Sequence, residues 1–299
     1  MLCCCAQDVK STSDDFPSPV QVLSAGAFGC DDPVKLRRKP RSPIGIKQSP
    51  VPAIPVLIEK RSGNVNNAPV IMDDMSIYTG QWHGKKRHGR GECVWPDGRI
   101  YVGEWRDDMA NGHGRCEHGS GDVYEGEWQN DEASGYGVYK HVEGSIYSGD
   151  WLHDRQHGNG AEEWPDGARF EGYYLEGWKC GRGKFTWSQG SSYVGEFWKN
   201  DIHGAGTYTW NDGRVYVGNW LGNQMNGDGV FTWKDGCRYE GQYVNDLKEG
   251  VGTFQWPDDR MYVGQWKGGH QHGEGRYVKR VGDEEEIKHG IWEEGQRIK

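Results

Sequence analysis

The sequence has no long apolar segment and few aliphatic residues. No stretch approaches the ~18 consecutive apolar residues that a transmembrane helix needs, and the N-terminus lacks the apolar core of a secretory signal. Apolar residues make up 34% of the 299 residues, which predicts no thick aliphatic core. These absences favour a protein that neither spans a membrane nor is secreted.

Cysteine does not occur in paired spacings. Of the 8 cysteines, three are consecutive, at Cys3, Cys4 and Cys5, and the others are scattered: Cys30, Cys93, Cys116, Cys180 and Cys237. This distribution predicts no disulfide framework. We therefore expect a reducing, cytoplasmic compartment.

Positive charge is scarce in most of the chain. Residues 1–77 hold 9 Lys and Arg against 8 Asp and Glu, which leaves 26 against 36 in residues 78–299. The larger part is therefore acidic, with a net charge of −10. Because nucleic-acid binding depends on cations that neutralise phosphates, we expect no nucleic-acid partner.

Glycine and aromatic residues are abundant instead, with 47 Gly, 15 Trp and 15 Tyr. In Tyr216–Trp220, an aromatic, a glycine and a second aromatic occupy positions i, i+2 and i+4, which lie on one face of a strand. The same triplet recurs every 23 residues, without insertion, and begins at Tyr78, Tyr101, Tyr124, Tyr147, Phe170, Tyr193, Tyr216, Tyr239 and Tyr262. So regular a period predicts a repeat architecture.

A second triplet follows each first one, as in Gly229, Phe231 and Trp233. Two strands with a turn between them predict one β-hairpin per repeat. We expect the hairpin loop to end at a recurrent pair such as His88-Gly89, whose glycine takes positive φ. Asp97-Gly98 and its equivalents predict the turn to the next hairpin.

The predicted fold is all-β: an elongated, single-layer antiparallel sheet of tandem 23-residue β-hairpins. The array covers residues 78–299, with nine repeats and a degenerate C-terminal cap at Gly290 and Trp292. Residues 1–77 contain nine of the 12 prolines and predict a disordered, basic tail.

The pattern Tyr-x-Gly-x-Trp, a loop ending in His-Gly, then Gly-x-aromatic-x-Trp and Pro-Asp-Gly resembles the MORN (membrane occupation and recognition nexus) repeat family. The resemblance covers about residues 78–275. It implies a row of antiparallel hairpins with an aromatic groove, in a protein that acts as an adaptor at membranes, the cytoskeleton or cilia.

No catalytic, cofactor or metal site is predicted. The Gly-x-Gly motifs open strands, whereas a phosphate loop opens a helix. Cys93, Cys116 and His118 share a face, but equivalent positions in successive hairpins lie ~9 to 10 Å apart, too far for one zinc ion. We therefore expect no cofactor and no enzyme activity. Alternating acids such as Glu104, Asp150 and Glu196 are interpreted as a solvated face.

We interpret the protein as a non-enzymatic scaffold whose aromatic groove receives a protein partner, either a helix or a second copy in a homodimer. The aromatic strip is too large to remain wet, and Ile54–Ile58 is an internal alternative for covering it. The predicted partner-binding residues are Tyr193, Phe197, Trp210, Tyr216, Trp220, Trp233, Tyr239, Trp256, Tyr262 and Trp266. The alternative is a peripheral phospholipid-binding module.

The tail offers two membrane signals. Adjacent cysteines near a chain end are typical of S-acylation, which makes Cys3, Cys4 and Cys5 candidate lipidation sites; an inert tail is the equal alternative. A basic run predicts contact with an anionic surface, through Lys35, Arg37, Arg38, Lys39 and Arg41. The expected location is cytoplasmic, with peripheral attachment to a membrane, the cytoskeleton or a cilium.

Overall fold

A computed structural model describes residues 68–281 and 284–299, so the tail with Cys3, Cys4, Cys5 and Lys35–Arg41 lies outside the described residues. The described residues form one open sheet of 21 strands. Each strand pairs antiparallel with the next one in the chain. No helix occurs in this part of the chain. The predicted all-β array of hairpins is confirmed.

Each repeat supplies two strands, here called the A strand and the B strand. The A strands are β2 (Ile77–His83), β4 (Ile100–Arg106), β6 (Val123–Gln129), β8 (Ile146–Leu152), β10 (Arg169–Leu175), β12 (Ser192–Trp198), β14 (Val215–Leu221), β16 (Arg238–Val244) and β18 (Met261–Lys267). The B strands are β3 (Lys86–Val94), β5 (Met109–Glu117), β7 (Glu132–Lys140), β9 (Arg155–Glu163), β11 (Trp178–Thr186), β13 (Asp201–Thr209), β15 (Gln224–Thr232), β17 (Leu247–Gln255) and β19 (His270–Val281). β1 (Val70–Ile71) precedes them, and β20 (Glu284–Glu293) and β21 (Gln296–Arg297) follow.

The sheet extends beyond the nine repeats at both ends. It begins at Val70, which pairs with Tyr78, so it starts before the boundary that the period placed at residue 77. At the other end, Gly290 pairs with Gly275 and Trp292 with Gly273. β20 therefore takes the place of a tenth A strand and covers the last B strand.

The hairpin turns differ from the sequence expectation. The pair His88-Gly89 does not end the hairpin loop but lies inside β3. The turn itself has two residues, as at Asp107 (φ 51°) and Asp108 (φ 74°). Positive φ at both positions is typical of a type I′ turn, whose twist matches that of the flanking strands, and it explains the Asp, Asn and Gly residues found there.

The His-Gly pair marks a β-bulge. Gly80 pairs with Gly91 while Trp82 pairs with Arg87, so three B-strand residues stand opposite Gln81. Gly89 has φ 65°, which confirms the positive φ expected of that glycine. The side chain of Gln81 accepts a hydrogen bond from Arg90 N at 2.9 Å and so caps the bulge. Side chains at the same position in other repeats accept the equivalent bond.

One acid of the supposedly solvated face has the same structural task. Asp150 Oδ2 accepts a hydrogen bond from Asn159 N at 2.9 Å, across the bulge of the fourth repeat. The interpretation of Asp150 as a merely solvated residue is therefore incomplete, because its carboxylate satisfies a backbone donor that the bulge removes from the ladder.

Paired glycines form a row across the sheet, and the A-strand tyrosines lie over it. A Cβ atom on Gly229 would be 2.3 Å from Tyr216 Oη, so the ring fits only because the glycine has no side chain. The Tyr216 hydroxyl donates a hydrogen bond to Asn219 O at 3.1 Å. Glycine and tyrosine therefore form one structural unit in the repeats, and in the fifth repeat Phe170 takes the place of the tyrosine.

The A-strand rings cover one another from repeat to repeat. Trp220 packs edge to face against Tyr216, with centroids 5.0 Å apart, and against Tyr193 of the preceding repeat at 5.7 Å. This geometry suits the ring quadrupoles. As a result Tyr216 is 0% exposed and Trp220 only 2%. The ladder ends at Trp292, which packs on Tyr262 at 5.0 Å.

Candidate functional site

Most of the predicted groove residues are buried. Eight of the ten lie among the buried residues, namely Tyr193, Phe197, Trp210, Tyr216, Trp220, Tyr239, Tyr262 and Trp266. The other two, Trp233 and Trp256, are partly buried. Their role in binding a partner stays a prediction, but the rings of this set mainly contact one another.

A second stack, along the B strands, fills the groove in repeats six to eight. Phe231 lies 5.2 Å from Trp210 and 4.4 Å from Trp233, measured between ring centroids. Trp233 in turn lies 5.5 Å from Phe254. The most regular repeats therefore have the most completely occupied groove.

An open groove lies instead over repeats one to four. It has a volume of about 600 Å³, and five of the rings that line it are Tyr101, Trp105, Tyr124, Trp128 and Trp151, of which Trp128 and Trp151 are the more exposed. Trp95 and Tyr139 complete its aromatic lining, and Ala110, Cys116 and Ala133 also line it. We call this surface the open groove.

Small side chains explain why the groove is open there. Ala110 and Ala133 occupy the register positions that Ile202 and Met225 hold in repeats six and seven. Cys116 pairs with Tyr101 as Phe231 pairs with Tyr216. Repeats two and three have alanine where repeats six and seven have Ile202 and Met225, and repeat two also has Cys116 where repeat seven has Phe231. The volume that these side chains leave contributes to the groove.

The indoles of the open groove are held in fixed orientations. Trp105 Nε1 donates to Gly91 O at 3.2 Å, and Trp128 Nε1 donates to Gly114 O at 3.0 Å. The Tyr101 hydroxyl donates to Glu104 O at 2.9 Å. Because these polar atoms are bonded within the sheet, the rings offer the groove mainly apolar surface.

Charged residues of both signs line the groove. Arg87 stacks on Trp105 and Arg99 on Trp95, each with Cζ 4.2 Å from the ring centroid. Asp131 and Asp154 also line the groove. This combination of an apolar centre and charged residues suits a protein segment more than a bare hydrocarbon chain.

Burial keeps two groups that line the groove, the Cys116 thiol and the Tyr139 phenol, protonated near pH 7. Burial raises the pKa of the Cys116 thiol above its usual value, and a neutral thiol is a poor nucleophile. Burial also raises the pKa of Tyr139 to about 12, with Asp122 adding to the shift. The described thiols of Cys93, Cys116, Cys180 and Cys237 are all buried.

In the described residues, three potential metal ligands come together at the first hairpin. Ligand atoms of His83, His88 and Asp107 lie within 4.8 Å of one another. Asp107 also lies 3.9 Å from Lys86 Nζ. From the sequence we had considered a different set of potential metal ligands, Cys93, Cys116 and His118.

The position of the open groove was not foreseen from the sequence. The aromatic pattern is most regular between Tyr193 and Trp266, and we predicted the partner-binding residues there. The sequence did contain a signal for the open groove. At Ala110, Ala133 and Cys116, small residues occupy repeat positions that hold large residues in other repeats.

The fold and the groove define a tandem β-hairpin repeat protein with an aromatic face. The MORN repeat model matches the chain in nine consecutive segments, residues 78–98, 101–123, 124–146, 147–169, 170–192, 193–213, 216–238, 239–259 and 262–284. The chain belongs to the MORN repeat family. Such repeats indicate a scaffold role in protein interaction or at a membrane.

Several solved structures are similar to the chain, including the following two. One is the wild-type TCP10 domain of Danio rerio CPAP, with 9% identity, 66% of this chain and 94% of that chain covered, and a TM-score of 0.39. The other is the TCP domain of Drosophila melanogaster SAS-4 in complex with a proline-rich motif of Ana2, with 17% identity, 64% and 99% coverage, and a TM-score of 0.33. At these TM-scores the likeness supports no conclusion about partners. No curated protein matches the chain.

None of the described residues belongs to a helix that is long and apolar enough to cross a membrane.

Proposed function

We propose that the protein is a non-enzymatic scaffold that holds a segment of a protein partner in the open groove of repeats one to four. The observation that carries this proposal is the groove of about 600 Å³ over fixed Trp and Tyr rings. Rigid aromatic rings bury a large area at small entropic cost, and Trp and Tyr dominate the binding energy of protein interfaces.

The proposed occupant is an apolar helix of a partner, or a second copy of the chain in a homodimer. Either would place apolar side chains over Ala110 and Ala133, where the groove has space. We expect the protein to act in the cytoplasm, with attachment to a membrane, the cytoskeleton or a cilium set by its partner or by its tail.

Direct binding of phospholipid by the repeats is the second candidate. It needs a basic face, whereas residues 78–299 carry a net charge of −10. The local cluster around Lys86 and Arg87 is partly neutralised, since Lys86 lies 3.9 Å from Asp107 and Arg87 3.6 Å from Asp108. Charge therefore favours the protein partner.

The test fills the groove with side chains that the same fold already accommodates. We would substitute Ala110→Ile and Ala133→Met together, which reproduces Ile202 and Met225 at the equivalent positions. The backbone environment is the same, because Ala110 N and Met225 N each donate to a turn Asp Oδ1 at 2.7 Å.

Partners would be captured from the native source with wild-type and filled protein, and each captured partner would be tested for direct binding in purified form. We expect direct partners to lose at least tenfold in affinity for the filled variant. The matched control is Val194→Ile with Val217→Met, which adds the same kinds of side chain at positions that are 53% and 50% exposed. Equal affinity of the filled variant, the control and the wild type for every direct partner would contradict the proposal.

A further inference from the structure

Lys248 ends inside a cage of aromatic rings. It is the second residue of β17, and its Nζ lies 5.0 Å from the ring centroids of Trp233, Phe254 and Trp266, and 5.3 Å from that of Tyr239. Ring faces attract a cation at these distances. They do not replace the hydrogen bonds that the ammonium makes in water.

The same register position carries a cation in two other repeats, and both have an acid. Arg87 Nε lies 3.6 Å from Asp108 Oδ1. Lys179 Nζ lies 2.8 Å from Glu162 Oε2, which also accepts a hydrogen bond from the Tyr174 hydroxyl at 3.0 Å. Lys179 also lies near rings, with Nζ 4.9 Å from the centroid of Trp164.

Lys248 has no such acid among the described residues. Glu162 pairs with Tyr147 in the sheet, and the equivalent partner of Tyr216, three repeats later, is Phe231. The carboxylate of the Lys179 site is thus replaced by a benzene ring at the Lys248 site. Burial lowers the pKa of Lys248 to about 8, so the ammonium is still largely protonated at pH 7.

A small cavity adjoins this ammonium. It has a volume of about 30 Å³ and is lined by Lys248, Phe254, Trp256, Trp266 and His270, together with Gly269, Gln271 and Gly295. A cavity of this size admits a small planar group. Its aromatic walls favour an apolar segment as the carrier of the carboxylate, because the ring faces attract the ammonium and not the anion, and the acidic sheet disfavours a generally acidic segment.

We propose that Lys248 is a carboxylate-binding site, at which a Glu or Asp side chain of a protein partner enters this cavity and pairs with Nζ as Glu162 pairs with Lys179. The site lies in repeats seven to nine, apart from the open groove of repeats one to four, and it does not depend on the function proposed for that groove. An acid there converts an unpaired buried charge into a hydrogen-bonded pair.

The test uses the full chain and four peptides that share one five-residue sequence and differ as follows; the first three are blocked at both ends. The first is Ac-Ser-Leu-Glu-Leu-Ser-NH₂, the second has Gln in place of Glu, and the third has phosphoserine there. The fourth has Gln and a free C-terminal carboxylate. Binding is measured by isothermal titration calorimetry up to millimolar peptide, at pH 7.

We expect the Glu peptide to bind at least tenfold more tightly than each of the other three. Lys248→Met should remove this preference, whereas Lys267→Met, at an exposed position of β18, should retain it. A second variant, Phe231→Glu, recreates the internal acid of the Lys179 site and should also remove binding while the lysine remains. Thermal unfolding checks that each variant is folded.

Three results would overturn the proposal. The first is equal binding of the Glu and Gln peptides, or no binding of either. The second is tighter binding of the phosphoserine or free-carboxylate peptide, which would assign the site to a different anion. The third is an unchanged Glu preference in folded Lys248→Met and Phe231→Glu.

Discussion

Asp131 and Ala110 are joined by two hydrogen bonds. Asp131 Oδ1 accepts from Ala110 N at 2.7 Å, and Asp131 N donates to Ala110 O at 3.0 Å. The bonds connect the hairpin turn of the third repeat to the B strand of the second. Most of the other repeats use the same arrangement, with Asp or Asn as the second turn residue, as in Met225 with Asp246 at 2.7 Å. The turn therefore couples neighbouring repeats.

Asp131→Gly should remove the side-chain bond and leave the backbone conformation intact. Asp131 has φ 70°, which glycine tolerates, and Gly177 already occupies the equivalent position with its backbone bond to Gln156 O at 2.8 Å. We expect a loss of about 1–2 kcal/mol in local stability. Hydrogen exchange of the Ala110 amide should become about tenfold faster.

The control is Asp131→Asn, since Asn223 Oδ1 accepts from Ile202 N at 2.8 Å. It should leave the Ala110 amide protected. If the Ala110 amide exchanges at the wild-type rate in both Asp131→Gly and Asp131→Asn, the side-chain hydrogen bond does not stabilise the junction between the second and third repeats.

The tyrosine and glycine of a repeat should respond differently to small substitutions. Tyr216→Phe removes only the bond to Asn219 O, and Phe170 already stands in this position in the fifth repeat, so we expect a cost of about 1 kcal/mol. Gly229→Ala places a methyl group 2.3 Å from Tyr216 Oη. We expect it to cost about 3 kcal/mol or more, because ring and backbone must both move.

Urea unfolding followed by tryptophan fluorescence would compare these two variants. Similar losses of stability for Tyr216→Phe and Gly229→Ala would mean that the tyrosine ring does not require a glycine beneath it.

The buried pair of Glu162 and Lys179 should be costly to break and easy to replace. Glu162→Phe alone leaves Lys179 charged and without its acid, and we expect a loss of about 3–5 kcal/mol. The double variant Glu162→Phe with Lys179→Ile reproduces Phe185 and Ile202, which occupy the equivalent two positions one repeat later. It should recover most of that loss.

A double-mutant cycle measured by chemical denaturation would test this. Additive losses for the two substitutions would show that the carboxylate and the ammonium do not stabilise each other in the folded protein.

Lys248→Met should stabilise the protein in a pH-dependent way. The folded-state pKa of Lys248 is lowered to about 8 by burial, so the folded state binds this proton more weakly than the unfolded state, where the pKa is about 10.4. The wild-type lysine therefore disfavours folding below pH 8, and this penalty decreases as the pH rises from 8 to about 10.4.

We expect the variant to gain about 1–3 kcal/mol at pH 7 and much less at pH 10. Thermal unfolding of wild type, Lys248→Met and Lys267→Met at both values would measure the gain. The same gain at pH 7 and pH 10 would show that removal of charge is not its cause.

The sequence predicted the strands well because their pattern is local. Alternation in Tyr216, Gly218 and Trp220 requires only that one face of an extended chain be aromatic, and the 23-residue period carries this information to every repeat. The turn was placed wrongly, because His88-Gly89 has the composition of a turn but serves a bulge. The turn at Asp107 and Asp108 can be recognised only once its position relative to Arg87 of the preceding repeat is known.

The groove depends on how side chains of neighbouring repeats pack together, which the sequence of a single repeat does not show. The sequence by itself determined the family of fold, the faces of the A strands and the positive φ of glycines such as Gly89. Only the tertiary structure decided that large residues such as Met225 and Phe231 fill the groove, that Ala110 and Ala133 open it, and that Lys248 lacks the acid that Lys179 has. The physical reason is that packing is set by volumes and charges that meet across neighbouring strands, whereas strand and turn preferences are set along the chain.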